Sequence, residues 1–138
     1  MPRPPSRREV LAAGALAAAG APAARAAEPK PVAFFVVGDT HYLAEKDNPA
    51  KLDARSAATT GRLIDTLNRL PGAAIPEGAG GGTVLAPHGL LHAGDCIDTG
   101  DKPNVKMQET EWAAFAAGFG LTGRDGRLKF PVCEVHGN

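Results

Sequence analysis

Three apolar runs in this chain close in the same way, on a glycine followed by a residue able to hold a metal or move a proton. The first ends in Gly38-Asp39 with His41 two positions on, within GDTH. The second ends in Gly94-Asp95, within GDCID, and the third in Gly137-Asn138. Two carboxylates, an imidazole and an amide oxygen form a mixed nitrogen and oxygen donor set. Such a set suits borderline first-row metals such as Zn, Fe or Mn, rather than calcium cages or thiolate sites. If the runs are adjacent parallel strands, their carboxyl ends bring Asp39, His41, Asp95 and Asn138 into one cleft. The glycines let the backbone turn sharply there and keep side chains away from the pocket. Asp95, on the middle loop, is the natural bridge between two cations. Two ions about 3.5–4 Å apart can activate a water and stabilise both oxygens of an in-line displacement at phosphorus.

The elements that must position these residues are legible as alternating strands and helices. PVAFFVVGD is a continuous apolar run and predicts a fully buried strand of a parallel sheet. In the segment that follows, Asn48-Pro49 has the form of a helix start, and Leu63, Ile64, Leu67 and Leu70 share a helical face that Pro71-Gly72 terminates. Residues 72–88 are rich in Gly and Pro and read as a loop; their glycine run lacks the Lys-Ser/Thr pair of a phosphate-cradling P-loop. HGLLHAGD predicts a second strand. KMQETEWAAFAAGFGL predicts a second helix, with Trp112, Phe115, Ala116 and Phe119 as a core stripe, and LKFPVCEVHGN a third strand. The order β-α-β-α-β is that of an α/β layer with a parallel sheet and right-handed crossovers.

GDTH, GDCID and GN, in that order and each after an apolar strand, resemble the calcineurin-like metallophosphoesterases. The pattern of that family is Asp-x-His, then Gly-Asp-x-x-Asp, then Gly-Asn-His/Glu, then further histidine motifs. The resemblance covers residues 32–138 and implies a layered metallophosphoesterase-type α/β fold, of which the first β-α-β-α-β portion is present. It implies hydrolysis of phosphate esters at a binuclear centre of divalent or trivalent transition metal ions (Fe, Mn or Zn). Asp39 and His41 would be ligands of the first metal, Asp95 the bridge and Asn138 a ligand of the second. Asp98 matches the second acid of the middle block, which supports the loop. The family's proton donor and later histidines would follow Asn138, so the chain is expected to be the N-terminal part of such a domain, weakly active or inactive alone, with exposed sheet edges that favour aggregation.

The remaining polar residues have simpler readings. Asp39 and Asp95 also suit helix-capping turns, Asp98 a turn acid, His88 a loop position, and His92 and His136 structural strand positions. Cys133 lies five residues before a strand end and Cys96 just after one, an offset of roughly 16 Å along the strands. A disulfide needs Cα atoms within about 7 Å, so in that register none forms.

The N-terminus predicts export. SRREVL carries Arg7 and Arg8 together, VLAAGALAAAG is weakly apolar, and Ala24-Arg25-Ala26 has signal-peptidase spacing. Residues 1–26 therefore read as a twin-arginine signal peptide and residues 27–31 as a linker. The product would be periplasmic or extracellular, with the twin-arginine machinery as a partner in transit. The apolar run is too short to remain as a membrane anchor. Cleavage after Ala26 removes Arg3, Arg7, Arg8, Arg25 and Glu9, so 15 basic residues become 11 and 15 acidic residues become 14, a net charge of −3. With no block of five or six like charges, a nucleic-acid partner is not expected. Two rivals stand beside the phosphoesterase reading. One is an exported α/β module that has kept the fold and lost the chemistry. The other is a metal-free α/β hydrolase, which lacks support because no Gly-x-Ser-x-Gly elbow is present.

Overall fold

Three short segments, Phe-Val-Val, Leu-Leu-His and Val-Cys-Glu, form the strands. These are β1 (Phe35–Val37), β2 (Leu90–His92) and β3 (Val132–Glu134). The computed structural model describes residues 29–120, 125–135 and 137, and residues from Pro31 onward form one compact unit. The sheet is parallel throughout, in the order β1-β2-β3. Phe35 lies opposite Leu90 and Leu90 opposite Val132, while Val37 lies opposite His92 and His92 opposite Glu134. Two helices, α1 (Ala54–Arg69) and α2 (Val105–Phe119), connect the strands. The architecture is thus α/β. The expected signal segment, Asn138 and His136 lie outside the described residues.

Both helices bury their apolar stripes against the same face of the sheet. Ile64 and Leu67 of α1 and Phe115 and Phe119 of α2 join Leu90, Tyr42 and Leu128 in one core, with Phe35, Val37 and Val132 packed against it. Each such side chain contributes about 1.5–3 kcal/mol on burial. The alternate residues point the other way: Phe34 and Val36 are 50% and 68% exposed, and Leu91 is also open. The expectation of a β1 buried on both faces is therefore corrected. A continuous apolar run allows two covered faces, but both helices here lie on one.

The start of α1 also differs from the reading at Asn48-Pro49. Those residues form a turn in which the Lys51 N–H donates to the Asn48 carbonyl (2.9 Å), and Leu52 then pairs with Ala44 in an antiparallel bridge. The backbone is committed to these bonds until Asp53, whose carboxylate accepts the Ser56 N–H at 2.8 Å and caps the helix. At the start of α2, Asn104 plays the same part for the Met107 N–H (3.2 Å).

The approach to β3 is fixed to both helices. The Asn68 side chain donates to the Arg127 carbonyl (3.1 Å) and accepts from the Lys129 N–H (2.9 Å). The Leu128 N–H reaches the Gly118 carbonyl at 2.9 Å. Gly118 is needed because a Cβ there would overlap the Tyr42 hydroxyl and meet the Ile64 Cδ1 at 3.0 Å. Alanine in a helix interior normally gains about 1 kcal/mol over glycine. Here that gain is outweighed by overpacking, so Gly118→Ala should lower stability by about 1–3 kcal/mol in a urea melt; a rise in stability would refute this packing.

Candidate metal centre

The two loops that leave β1 and β2 run side by side, and their backbones stay paired beyond the regular strands. The Ala93 N–H donates to Val37 (2.7 Å), Asp39 to Gly94, His41 to Asp95 and Tyr42 to Cys96 (each 3.1 Å), and Asp98 to Tyr42 (3.0 Å). This ladder sets the register of the loops just as it does of the strands. It places Asp39, His41 and Asp95 together at the carboxyl edge of the sheet.

One donor atom from each of these three side chains lies within 4.8 Å of the other two. His41 Nε2 is 3.9 Å from Asp39 Oδ1 and 3.8 Å from Asp95 Oδ2. These separations are too long for hydrogen bonds. They fit within the span of about 4.4 Å available to two atoms that each touch one ion at roughly 2.0–2.2 Å. On its other side the imidazole faces Asp98, with Nδ1 at 3.7 Å from Oδ1. Asp98 in turn accepts from Lys102 Nζ at 2.9 Å, and this bond raises the lysine's pKa above its ordinary value. The ring is thus oriented with Nε2 toward Asp39 and Asp95 and Nδ1 toward Asp98. Asp39 is 79% exposed at its side chain and Asp95 21%, so the centre opens to solvent on the β1 side.

Backbone conformation marks the same three residues. Among the described residues, the non-glycine positions with positive φ are Asp39 (55°), His41 (40°) and Asp95 (52°). A left-handed conformation costs about 1–2 kcal/mol for a residue with a Cβ, and such outliers gather at functional sites where surrounding structure enforces them. Gly94, at φ 104°, makes the turn before Asp95 possible. Gly137 lies directly against Asp95: a Cβ on it would overlap the Asp95 carboxylate and backbone nitrogen. The third Gly-polar pair thus reaches the centre at its glycine, while Asn138 lies outside the described residues.

Beneath the loops is a buried polar ring that the sequence reading did not anticipate. The Thr40 hydroxyl donates to the Cys96 carbonyl (3.1 Å) and sits 3.0 Å from His92 Nε2. With its one proton so used, Thr40 accepts from Nε2–H, which leaves Nδ1 to accept from the Cys96 thiol at 3.5 Å. His92 is 1% exposed. Its pKa is lowered, first by burial, against the opposing pull of Glu134 and Asp39. Burial pushes the Cys96 thiol up to about 11. His92 is thus a neutral structural histidine that ties the GDTH loop to β2. Cys96 and Cys133 are both free, Cys133 lying opposite Leu91 and therefore far from Cys96 along the sheet.

Three side chains from the helices hold the loops in place. Glu111 of α2 is fully buried and accepts from the Ala44 N–H (2.9 Å), the Thr99 N–H (2.9 Å) and the Thr99 hydroxyl (2.7 Å). Ser56, in the first turn of α1, accepts the Leu43 N–H at 3.1 Å and donates to the His41 carbonyl at 3.4 Å. Gln108 donates to the carbonyls of Thr99 (2.8 Å) and Lys102 (2.7 Å).

The centre forms one part of a cleft of about 1000 Å³, whose lining includes His41, Asp95, Asp98, Lys102, Trp112 and Val135. Trp112 was expected in the core stripe of α2. It lies instead at the edge of that stripe, 40% exposed, stacked on the buried Phe115.

Replacing Glu111 with Ala strands three buried donors, each costing about 1–3 kcal/mol. Glu111→Ala should therefore lower the unfolding free energy by at least about 2 kcal/mol, and a change within about 0.5 kcal/mol would show that the clamp contributes nothing. His92 predicts a pH effect. Its folded pKa is lowered from 6.5, so its contribution is fully present above about 6.5 and is lost as pH falls through the folded pKa. Urea midpoints should decline between pH 7 and 5, and His92→Gln should shallow that decline. Parallel declines in the two proteins would refute it.

Compared with known proteins, the chain matches no family model, no curated protein and no solved structure, so its own geometry carries the functional reading.

Proposed function

We propose that this chain belongs to a binuclear metallophosphoesterase of the calcineurin-like kind, exported by the twin-arginine route, that hydrolyses phosphate esters. The observation that carries this reading is a coincidence of two independent features. The residues of the Asp-x-His and Gly-Asp-x-x-Asp blocks that would bind metal, Asp39, His41 and Asp95, converge at the end of a parallel sheet. They are also the described non-glycine residues held in left-handed backbone. Turn-capping alone requires neither the convergence nor the shared conformation.

On this reading Asp39, His41 and Asp95 would hold the metal ions, with Asp95 shared between them and Asn138 as a further ligand. Transition metal ions (Fe, Mn or Zn), when bound to such donors, polarise phosphoryl oxygens and make a water more acidic. The chain's own residues orient and shape the site. His41 turns Nδ1 to Asp98 and Nε2 to Asp39 and Asp95, so Nε2 is the nitrogen that would meet a metal. The paired backbone from Asp39 to Asp98 keeps the carboxylates from drifting apart, and Gly137 leaves room beside Asp95. The three-stranded sheet and two helices correspond, on the same reading, to the first portion of the layered fold of that family.

Metal affinity is the direct test. Zn²⁺ or Mn²⁺ titrated into the chain should bind, and Asp95→Asn should weaken binding by at least about 10–100-fold, the loss typical even of outer-shell partners. Hydrolysis is read as metal-dependent release of p-nitrophenol from p-nitrophenyl phosphate and its bis ester. Absence of bound metal, or metal affinity indifferent to Asp95→Asn, would overturn the proposal.

A further inference from the structure

We infer that the indole of Trp112 is a stacking platform for a planar aromatic group carried by the phosphate ester, an inference that rests on the phosphoesterase reading above. Tryptophan is usually well buried, yet Trp112 is 40% exposed and lines the same cleft as His41 and Asp95. Its ring is held in one orientation by a column of aromatics. Trp112 stacks on Phe115 with centroids 5.2 Å apart and planes at 21°, and Phe115 stacks on Phe119 at 5.1 Å and 20°. Phe115 and Phe119 are fully buried, so one side of the indole rests on the packed core.

The neighbour of Trp112 in α2 is Glu111, which clamps both ligand loops through Ala44 and Thr99. The platform and the donor set are therefore fixed to one helical turn and hold a constant relation to each other. Ile97 and Val135 add apolar wall to a lining that is otherwise acidic or polar. A phosphate group alone would leave this apolar wall wet. The cleft volume of about 1000 Å³ is at the upper end for sites that enclose drug-sized ligands, with room for a ring as well as a phosphate. A planar group stacked on the indole would displace water from both surfaces, and such stacking tolerates any ring with a π-face.

Trp112 is the sole tryptophan of the chain, so intrinsic fluorescence reports on this position alone. With the Zn²⁺-loaded protein, phenylphosphonate and adenosine 5′-monophosphate are compared with methylphosphonate, which carries the same anionic head without a ring. The ring-bearing probes should quench the fluorescence and bind about tenfold more tightly than methylphosphonate. A gain for phenylphosphonate as well as the nucleotide points to aryl esters in general, and a gain for the nucleotide alone points to a nucleobase. By calorimetry, Trp112→Leu should bring the affinity ratio to within about twofold of one, while Trp112→Phe, which keeps a ring on the same column, should retain most of it. Equal affinities in the wild-type protein, or a preference that survives Trp112→Leu, would overturn the platform and leave the metal reading standing. Failure of all three probes to bind in a metal-dependent way would overturn both.

Discussion

A single buried carboxylate joins the two loops on which the site is built. Glu111 receives the Ala44 N–H from the loop after β1 and two donors of Thr99 from the loop after β2. Removing a carboxylate from water is costly unless its oxygens are satisfied. Here the satisfaction comes from both loops at once, so the loops and α2 cannot separate without stranding the charge. Hydrogen bonds to a charged group contribute about 1.5–3 kcal/mol each. Three of them are of the same order as the cost of holding Asp39, His41 and Asp95 in left-handed backbone, at about 1–2 kcal/mol per residue. The clamp, the ladder from Asp39 to Asp98 and the Ser56 bridge to His41 together maintain a conformation that the local sequence does not favour by itself.

The loop residues of the centre were legible because their signal is local. A glycine and an aspartate at the end of an apolar run need only the parallel sheet to bring them together, and the sheet followed from alternating strand and helix patterns. The clamps were not legible for the opposite reason. Glu111 reaches Ala44 across 67 positions and Thr40 reaches His92 across 52, and neither pairing leaves a periodicity in the sequence. Glu111 even reads as a surface charge beside an apolar stripe. Trp112 shows a related limit: helical spacing identifies the residues that share a face but does not distinguish the centre of the stripe from its edge. The start of α1 was misplaced because Asn48-Pro49 satisfies the local rule for a helix start, while the antiparallel bridge between Ala44 and Leu52 overrides it. The open face of β1 belongs to the same class, since an apolar run states what a strand can bury and not which neighbours it has.

The electrostatics of the cleft bear on which cation it would accept. Asp39, Asp95 and Asp98 surround one imidazole, and Lys102 pairs with Asp98. Donor atoms of Asp39, His41 and Asp95 lie within 4.8 Å of one another, close enough for one cation to touch all three. The sulfur closest in sequence, Cys96, immediately follows Asp95 and lines the same cleft, and as a thiolate it would draw in soft metals. Its thiol is instead directed to His92 Nδ1 at 3.5 Å, and its sulfur is not among the donor atoms that converge at Asp39, His41 and Asp95. The His92 ring therefore does more than join a loop to a strand: by engaging the thiol it leaves the converging donors as carboxylate and imidazole, types that suit Fe, Mn or Zn.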